Sequence, residues 1–512
     1  MARLHEHQGK KLLQEAGIAV PRGGVAARPE EARTLAADLG APVVVKAQAW
    51  VTGRAEKGLI AFAADPDAAA HAVRQMLGLR VGQFSVEQVM IEERLDIDRE
   101  FYLGLIVDDR ARAPVIIFSA VGGSGVEAIA AAHPERVARH VVDVRAGLHD
   151  FEARDLARGT GIRGGLMLKL AGLMTAFYGV ARRWEARAAE INPLALTADG
   201  RLVALDCRFT VDDYAVFRHP ELGISIAREF DRPPTRLERI AWEVEKGDYR
   251  GTFYFVQMEM DFAKGEGVIG LHGNGGGGAM MNMDALLAQG FRIANFVDTS
   301  GNPPASKVYR AARIILSQPG IDGYYMGGSG VASQEQYHSA RGLVKAFMDA
   351  QLNVPAVIRI GGNGEEEAIA ILRRANGHFP APVEAYGRDD TPDFCTGRLR
   401  ALVNGYTPIP GPPPRPAFSA QEPYRFETIS GGTVTLDHAR CRACESKACI
   451  AHCVPRILSL DGPVPVLNIS PDEAKRGGCV ECLACEVECH FLGAGGGRVE
   501  LPIPGLDEGD GA

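Results

Sequence analysis

The sequence predicts a soluble α/β protein that is divided into several domains. Its 512 residues correspond to about three to four domains of ordinary size. Strand-like and helix-like segments alternate regularly from Gly267 onward, and eight of the ten cysteines lie between Cys441 and Cys489. We therefore expect a mixed α/β front half, a parallel α/β domain and a small cysteine-rich domain.

The composition excludes several classes of protein. Hydrophobic residues make up 46% and charged residues 23% of the chain, which is the balance of a globular protein. The formal charge of −8 provides no overall positive field for nucleic acid or for an anionic membrane. Residues 1–11 lack the apolar segment of a secretory signal, and the most apolar stretches, such as residues 114–120, are too short to cross a bilayer. We expect a cytoplasmic protein that binds neither nucleic acid nor membrane.

The front half is predicted to contain helices and strands in mixed order. Residues 4–13 have helical spacing, and residues 41–48 form a short apolar run rich in valine. Further strand-like runs follow at residues 84–91, 101–106 and 115–119. Lys46 therefore stands at the end of an apolar strand.

Beyond Gly267, strands and helices alternate without a break. The predicted strands are residues 268–272, 294–298, 323–326, 356–360 and 382–386. The predicted helices between them are residues 280–289, 306–316, 334–349 and 365–374. This alternation favours a parallel sheet with helices on both faces, as in flavodoxin-like domains.

Two stretches separate the predicted domains. Residues 219–262 are rich in charged and aromatic side chains without a clear period, and we interpret them as a connector or an accessory helical piece. The prolines in NGYTPIPGPPPRP, residues 404–416, favour an extended, semi-rigid spacer. The predicted division is residues 1–220, a connector at 221–262, residues 263–404, a proline-rich linker at 405–425 and residues 426–505.

The clustered cysteines form two groups with the spacing of metal-cluster ligands. The first group reads C-x2-C-x4-C-x3-C and contains Cys441, Cys444, Cys449 and Cys453. The second group reads C-x2-C-x2-C-x3-C and contains Cys479, Cys482, Cys485 and Cys489. This second spacing matches the bacterial ferredoxin run, except that His490 replaces the proline after the last cysteine.

In two-cluster ferredoxins the fourth cysteine of each run binds the other cluster. The segment at about residues 433–501 resembles such a domain, which is a small α+β fold. The resemblance implies one [4Fe–4S] cluster on Cys441, Cys444, Cys449 and Cys489, and a second on Cys479, Cys482, Cys485 and Cys453.

Two alternatives to iron–sulfur clusters remain for these eight cysteines. Eight thiolates also suffice for two tetrahedral zinc sites, although three closely spaced cysteines followed by x3-C fit a cube better than paired zinc knuckles. Disulfides have the least support, because nothing in the sequence suggests an oxidising compartment. The x4 spacing of the first group departs from the ferredoxin pattern. Cys207 and Cys395 are isolated and are expected to be small buried hydrophobes.

A series of short motifs in a fixed order resembles a known family of ligases. The motifs are LHEHQGKKLLQEAGI at 4–18, VVVKAQ at 43–48, GR at 53–54, IEE at 91–93, REFYLG at 99–104 and EINPLALTADGRLVALD at 190–206. Together they resemble the ATP-grasp half of the β subunit of succinyl-CoA synthetase and related ADP-forming acyl-CoA ligases. The similarity continues through GNGGGGAMMNMD, ANFVD, YMGGSG and VPAVIRIGGN, and it covers about residues 1–404.

This resemblance implies a nucleotide site in the front domain. Lys46, Gly53, Arg54, Glu92 and Glu100 match family positions around the phosphates, ribose and base of ATP or GTP. Asn192 and Asp206 match the ligands of Mg²⁺, a hard cation that prefers oxygen ligands, and the turn TADG between them allows both to face one ion across a hairpin. Glu190 matches an acidic residue that faces a phosphorylated histidine.

The resemblance also implies a phosphate or substrate site in the second domain. Glycines between a strand and a helix let backbone N–H groups approach an anion closely. The candidates are Gly275, Gly327, Gly328 and Ser329. His272 lies at a strand end, but the family carries its phosphorylated histidine on the α subunit, so we expect a structural role for His272.

Three segments depart from the family pattern. The phosphate loop reads Gly53, Arg54, Ala55, Glu56, with Lys57 one place later than the lysine of the family's G-R-G-K run. Residues 121–125, VGGSG, replace a more acidic loop, and DTSGNPPAS at residues 298–306 replaces a simpler glycine run. These changes predict altered nucleotide binding or a different acyl substrate.

Two hypotheses about function follow from these motifs. In the first, the chain is an enzyme subunit that works with a CoA-binding α subunit to convert a carboxylate, CoA and a nucleoside triphosphate into acyl-CoA, nucleoside diphosphate and phosphate. In the second, it is an iron–sulfur electron-transfer subunit whose ATP-grasp body is a nucleotide-gated scaffold. Both hypotheses include a redox partner for the iron–sulfur domain.

Overall fold

The computed structural model describes residues 2–507 apart from 41, 52, 55, 82–83, 123–131, 133, 225, 228–231, 233, 249, 251, 408, 410–416 and 420–421. The chain forms two compact units, Met1–Pro234 and Thr235–Ala512. Ala55, residues 123–125 of the VGGSG loop and residues 410–416 of the proline-rich run lie outside the described residues.

The first unit is built on two antiparallel sheets. The larger has seven strands and runs in the order Ala2–Arg3, Arg208–Val211, Ala186–Thr197, Ile97–Asp108, Ala113–Ser119 and Val137–Val141, with Leu202–Ala204 paired to Ala186–Thr197. The smaller runs in the order Gly23–Ala26, Val89–Glu93, Val43–Ala47 and Ile60–Ala63. The helices are Glu6–Glu15, Pro29–Leu39, Pro66–Met76, Asp150–Gly159 and Gly164–Arg183.

The helix Gly164–Arg183 covers one face of the larger sheet. Leu170, Met174 and Phe177 on this helix are fully buried and belong to the same apolar cluster as Phe101 and Phe118 of the sheet. The helix is long and apolar enough to cross a membrane by length and composition alone. Its burial against the sheet is the ordinary behaviour of a core helix.

The second unit contains the predicted parallel sheet. Its six strands run in the order Tyr254–Gln257, Arg292–Asp298, Val268–Asn274, Gly323–Gly328, Ala356–Arg359 and Val383–Tyr386. The first strand is antiparallel to its neighbour, and the other five are parallel. The helices are Arg236–Lys246, Gly276–Ala288, Ala305–Leu316, Tyr337–Asp349, Glu365–Ala375 and Pro392–Gly405.

The cysteine-rich segment packs within this second unit. The strands Tyr424–Glu427, Thr433–Leu436 and Gly497–Glu500 form an antiparallel sheet, and Leu458–Asp461 pairs with Val464–Leu467. Its helices are His438–Arg442, Ala448–Ala451, Pro471–Glu473 and Ala484–Leu492.

Buried ion pairs hold the last of these helices on the body of the unit. Glu488 lies 3.0 Å from Arg341 and 2.6 Å from Arg374, and Glu486 lies 3.0 Å from Lys345. Because both carboxylates are almost fully buried, this packing is specific, and the cysteine-rich segment is a fixed part of the second unit.

Candidate functional site

The predicted metal ligands lie close together in the chain fold: Asn192 is on the strand Ala186–Thr197, and Asp206 lies between the two strands that pair with that strand, Leu202–Ala204 and Arg208–Val211. On the strand Ala186–Thr197, Glu190 stands opposite Arg208 and Leu194 stands opposite Ala204. The N–H of Leu205 donates to the carbonyl of Pro193 at 3.1 Å, so the same register continues between these pairs. This register places Asn192 opposite Asp206. Because alternate residues of a strand share a face, Glu190 lies on the same face as Asn192.

Asp206 has one occupied and one unoccupied carboxylate oxygen. Its Oδ2 accepts a hydrogen bond from Arg54 at 2.7 Å. Its Oδ1 is buried and has no hydrogen-bond partner among the described residues. A buried carboxylate oxygen beside a side-chain amide is the donor set that Mg²⁺ prefers. Asn192 and Asp206 therefore fit a magnesium ion.

Lys46 lies at the end of the strand Val43–Ala47, in a buried ion network. Its Nζ is 2.8 Å from Glu92 Oε2 and 3.1 Å from Glu6 Oε1. Lys10 contacts the same two carboxylates, at 2.5 Å from Glu92 and 2.8 Å from Glu6. Both lysines also donate to the carbonyl of Leu205, at 2.6 Å and 2.7 Å. They thus fix the residue that precedes Asp206.

Arg54 connects this network to Asp206. One guanidinium nitrogen lies 2.6 Å from Glu6, and the other donates to Asp206. Its neighbour Gly53 adopts a left-handed backbone conformation, with a φ of 65°. The predicted nucleotide residues Lys46, Arg54 and Asp206 are therefore joined through a single carboxylate, that of Glu6.

The charges in this network shift one another's pKa values. Burial by itself raises the pKa of Glu6, but the charges of Lys10, Lys46 and Arg54 outweigh it and hold the pKa of Glu6 well below its usual value. Burial likewise opposes the charge on Lys46, and the carboxylates of Glu6, Glu92 and Asp206 nevertheless raise the pKa of Lys46. Glu6 and Lys46 are therefore both charged at neutral pH.

A cleft of about 340 Å³ opens beside the network. Glu6, Arg54, Glu190 and Asp206 line it, together with the aromatic side chains Trp50, Tyr102 and Phe209. This volume is within the range of small-molecule sites, about 300–1,000 Å³. The cleft therefore combines three arginines (Arg3, Arg54 and Arg208), three carboxylates and aromatic walls.

Of the predicted nucleotide residues, Arg54 lines this cleft, whereas Lys46, Gly53, Glu92 and Glu100 do not, and the predicted metal ligand Asn192 does not line it either. Glu92 lies in the buried network next to it, where it pairs with Lys10 and Lys46. Glu100 lies on the strand Ile97–Asp108 opposite Ala195, and it forms no ion pair within the described part of the chain.

Sequence reasoning missed Glu6 and Lys10, which are central to the network. A signal was available, because Glu6, Lys10 and Leu13 recur at helical spacing on the buried face of the helix Glu6–Glu15. Two oppositely charged residues four positions apart on the buried face of a helix indicate a buried ion pair.

The second unit has a smaller cavity at the carboxyl ends of its parallel strands. It measures about 210 Å³ and is lined by Asn274, Gly328, Ser329 and Arg359, with the loop that follows Ser329. Such an edge is where open α/β sheets bind ligands. Arg359 donates to three backbone carbonyls, at 2.6–3.0 Å, and so fixes the loops. Asn274 Oδ1 is buried and without a hydrogen-bond partner among the described residues.

Gly275 and Gly327 support this cavity from outside its lining. The N–H of Gly275 donates to Asp298 at 3.2 Å. A Cβ on Gly327 would stand 2.6 Å from the side chain of Asn282. Both glycines therefore allow close packing of the loops, and Gly328 and Ser329 face the cavity.

His272 is a buried core histidine. It is fully buried and hydrogen-bonded to the Tyr324 hydroxyl at 2.5 Å and to Thr299 at 3.3 Å. Burial lowers the pKa of His272 to about 3, so the ring is neutral. These contacts agree with the expected structural role.

The eight clustered cysteines form two sets of four. Cys453, Cys479, Cys482 and Cys485 line one small cavity. Burial raises the pKa of Cys441 to about 12, and the neighbouring thiols of Cys489, Cys449 and Cys444 add to this rise. Cys444 and Cys489 both lie close to Gly493. A Cβ placed on this glycine would stand 3.4 Å from Cys444 Sγ and 3.0 Å from the carbonyl oxygen of Cys489.

These sets have the donors of metal clusters but not the geometry of a bound ion. All ten cysteines are free thiols. Among the described residues, no group of three or more histidines, cysteines and carboxylates is arranged to hold a metal ion. The eight cysteines therefore match a metal cluster in the type of their donor atoms and in their grouping into two sets of four. Cys207 and Cys395 are buried, as expected.

Comparison with known proteins identifies the family. Residues 3–196 match the ATP-grasp domain family. The GDP-forming succinate–CoA ligase β subunit of Thermus thermophilus is 35% identical over 383 residues, which are 75% of this chain and 96% of that protein. The ADP-forming β subunit of Roseiflexus sp. is 37% identical over 371 residues, which are 72% of this chain and 93% of that protein. The chain belongs to the family of succinate–CoA ligase β subunits.

A solved structure extends this family relationship to the fold. ATP citrate lyase from Methanothrix soehngenii, in complex with citrate and coenzyme A, matches with a TM-score of 0.61 at 19% identity. The match covers 78% of this chain and 99% of that chain. The succinate–CoA ligase family is one of acid–thiol ligases, and its members are named for both GDP and ADP as product.

Proposed function

We propose that the chain is the β-type subunit of a nucleoside-triphosphate-dependent acyl-CoA synthetase. With a CoA-binding α subunit, it converts a carboxylate, CoA and ATP or GTP into acyl-CoA, the nucleoside diphosphate and phosphate. The route passes through an acyl phosphate and a phosphorylated histidine of the α subunit. The observation that carries this proposal is the strand register, which places Asn192 opposite Asp206 beside Arg54 and Glu190.

The residues of the first unit divide the work of phosphoryl transfer. Asn192 and Asp206 hold Mg²⁺, which neutralises charge on the phosphate oxygens when it is bound. Arg54 is shared between Glu6 and Asp206, so a triphosphate offers it a third anionic partner and releases Asp206 toward the ion. Lys46 supplies a fixed positive charge from behind the cleft. Glu190 accepts a ring N–H of the partner's histidine and so orients it.

We infer that the second unit binds the acid and the phosphorylated histidine at its sheet edge. The five parallel strands have the order 2-1-3-4-5, which supports a flavodoxin-like domain at residues 263–404. Gly275, Gly327, Gly328 and Ser329 are the proposed anion-binding loops. Because Arg359 is already committed to backbone carbonyls, the acid is held by backbone N–H groups and amide side chains.

Co-expression with a CoA-binding α subunit tests the ligase proposal. We expect nucleoside diphosphate release that depends on both CoA and an added acid, drawn from a panel of dicarboxylic and aromatic acids. Asp206→Ala is expected to abolish this activity because it removes a metal ligand. Asp109→Ala changes an exposed turn aspartate of the same sheet and serves as the matched control. Full activity of Asp206→Ala would contradict the metal assignment.

We propose further that the eight clustered cysteines hold two [4Fe–4S] clusters in a ferredoxin-like domain at residues 426–505. The supporting observation is the grouping of Cys453 with Cys479, Cys482 and Cys485 around one cavity, which is the crossed arrangement of two-cluster ferredoxins. Each cluster, when bound, accepts and releases one electron. The domain therefore requires a redox partner.

Elemental analysis of anaerobically purified protein tests this assignment. We expect a brown protein with about eight irons per chain. Cys482→Ser is expected to reduce the iron content, whereas Cys395→Ser, at an isolated buried cysteine, retains it. Zinc without iron would remove the electron-transfer role. We also propose a cytoplasmic location, because free thiols such as those of the ten cysteines persist in a reducing compartment.

A further inference from the structure

The two cysteine sets lie in opposite electrostatic surroundings. Residues 438–447, around the first set, contain three cations, Arg440, Arg442 and Lys447, and one anion, Glu445. Residues 479–488, around the second set, contain no cation and three carboxylates, those of Glu481, Glu486 and Glu488. By sequence alone, the stretch that carries Cys441 and Cys444 is therefore net positive, and the stretch that carries Cys479, Cys482 and Cys485 is net negative.

The first set also lies at the surface. Cys444 is partly exposed, and Arg442, Ala443, Glu445 and Ser446 on either side of it are exposed. In the second set, Cys453, Cys479 and Cys482 are buried, and the partly exposed Cys485 lines the small cavity that these four cysteines share. The helix Ala484–Leu492, which carries Cys485, is held against the unit by the Glu486 and Glu488 ion pairs. A partner protein therefore reaches the first set much more readily than the second.

Two of the three cations around Cys444, Arg442 and Lys447, form no ion pair with any described residue. Lys447 Nζ donates only to two backbone carbonyls in the described structure, those of Cys441 at 2.6 Å and Pro463 at 2.7 Å. Arg442 is exposed and forms no ion pair with any described residue. Arg440 is 3.4 Å from Asp437. On a chain with a formal charge of −8, this is a distinct basic rim around Cys444.

Glu481 places an uncompensated carboxylate at the second set. Its Oε1 accepts hydrogen bonds from the hydroxyls of Thr428 and Ser430, both at 2.6 Å, and from the Ser430 N–H at 3.0 Å. Its Oε2 is buried without a hydrogen-bond partner among the described residues, and the side chain lines the cavity of the four cysteines. Glu486 and Glu488, by contrast, are paired with cations.

Reduction adds one negative charge to a cluster, so nearby charge and solvent exposure set its potential. The basic, exposed surroundings of the first set favour the reduced form. The buried carboxylate of Glu481 disfavours it at the second set. The first site is therefore easier to reduce and is the site that a partner can reach.

We propose that the cluster on Cys441, Cys444, Cys449 and Cys489 is the electron entry port, and that its basic rim docks a one-electron carrier protein with an acidic face. This proposal rests on the iron–sulfur assignment above. In the transfer, one electron leaves the reduced carrier, which is oxidised, and enters the cluster, which is reduced; no bond is made or broken.

Stopped-flow reduction of the iron-loaded chain by a reduced acidic flavodoxin tests the docking site. We expect Arg442→Glu to slow reduction about tenfold at low salt and to weaken its salt dependence, because rim charges act mainly on association rates. Arg476→Glu is the matched control, since Arg476 is an exposed arginine three residues before Cys479, at the second set. Equal rates for the two variants, or a larger effect of Arg476→Glu, would overturn the proposal.

A redox titration of Glu481→Gln tests the order of the two potentials. We expect two midpoint potentials in the unaltered chain. In Glu481→Gln we expect the lower midpoint potential to rise by about 59 mV, which corresponds to an approximately tenfold higher affinity for one electron. A shift of the higher midpoint potential instead would show that the entry port has been assigned to the wrong cluster. Iron is measured first in every sample. Absence of iron contradicts the iron–sulfur assignment, whereas iron-loaded protein with the two midpoint potentials in the opposite order contradicts only the assignment of the entry port.

Discussion

Glu6 is the residue on which the nucleotide site of the first unit depends. Its two oxygens contact Lys10, Lys46 and Arg54, and Arg54 in turn contacts Asp206. A buried carboxylate with three cations is stable only while all of these partners are present. The residue therefore positions the phosphate-binding groups and need not touch the nucleotide.

Glu6→Gln is expected to destabilise the first unit by about 3 kcal/mol, because it leaves buried cations without their counter-charge. Equilibrium urea unfolding, followed by the fluorescence of Trp50 beside the site, measures this change. Glu31→Gln removes the partner of Arg28 in an exposed pair and is expected to have little effect, since exposed pairs contribute little. A small effect at Glu6 would show that the network is not essential to the fold.

The residues of this site could be predicted only in part from the sequence. Lys46 and Asp206 were found because each ends a recognisable strand and matches a motif. The partners that neutralise them, Glu6 and Lys10, come from a helix about forty positions earlier than Lys46 or two hundred earlier than Asp206. Long-range pairing of this kind depends on tertiary packing, which local spacing does not contain.

At the scale of elements, the alternating strands of the second unit are confirmed, and the differences lie at helix starts. The helix predicted at 280–289 begins earlier, at Gly276. Its first residues are glycines, which have a low helix propensity and so hide the start of the helix in the sequence. The helix predicted at 334–349 begins at Tyr337, since Gln334 and Gln336 use their side chains to bond loop carbonyls. The strand Tyr254–Gln257 was missed because it is a short edge strand without a period.

Gly278 and Gly277 offer a matched test of the loop packing at the sheet edge. A Cβ on Gly278 would stand 2.4 Å from the backbone nitrogen of Ser329, whereas a Cβ on Gly277 would meet nothing within 4 Å. We expect Gly278→Ala to destabilise the second unit by about 1–3 kcal/mol through overpacking. Gly277→Ala is expected to stabilise its helix by about 0.5–1 kcal/mol. Urea unfolding of both variants checks the difference, and equal effects would show that the two loops do not pack closely.

At the scale of the whole molecule, the fold keeps several ionisable groups in one protonation state. Buried Glu6 in the first unit and buried Glu486 and Glu488 in the second are paired with cations. The partly buried His5 and the buried His272 and His338 are neutral. Burial lowers the pKa of His5 to about 4 with a contribution from His7, and it lowers the pKa of His338 to about 4 with a contribution from Arg341. None of these states follows from composition, because each depends on what the fold places around the side chain.

The neutral histidines predict a stability that falls as the pH falls below 6.5. An unfolded histidine takes up a proton near its usual value of 6.5, whereas folded His272 does so only near 3. Between these values the unfolded state binds more protons, so each such histidine removes about 1.4 kcal/mol per pH unit of acidification. His272→Asn removes this group. The free energy of unfolding of the second unit, measured in urea between about pH 5 and 6.5, is then expected to depend less steeply on pH, by the contribution of one proton. His378→Asn, at an exposed position of the same unit, is expected to leave the slope unchanged. An unchanged slope in His272→Asn would show that this ring takes up its proton at the same pH in the folded and unfolded states.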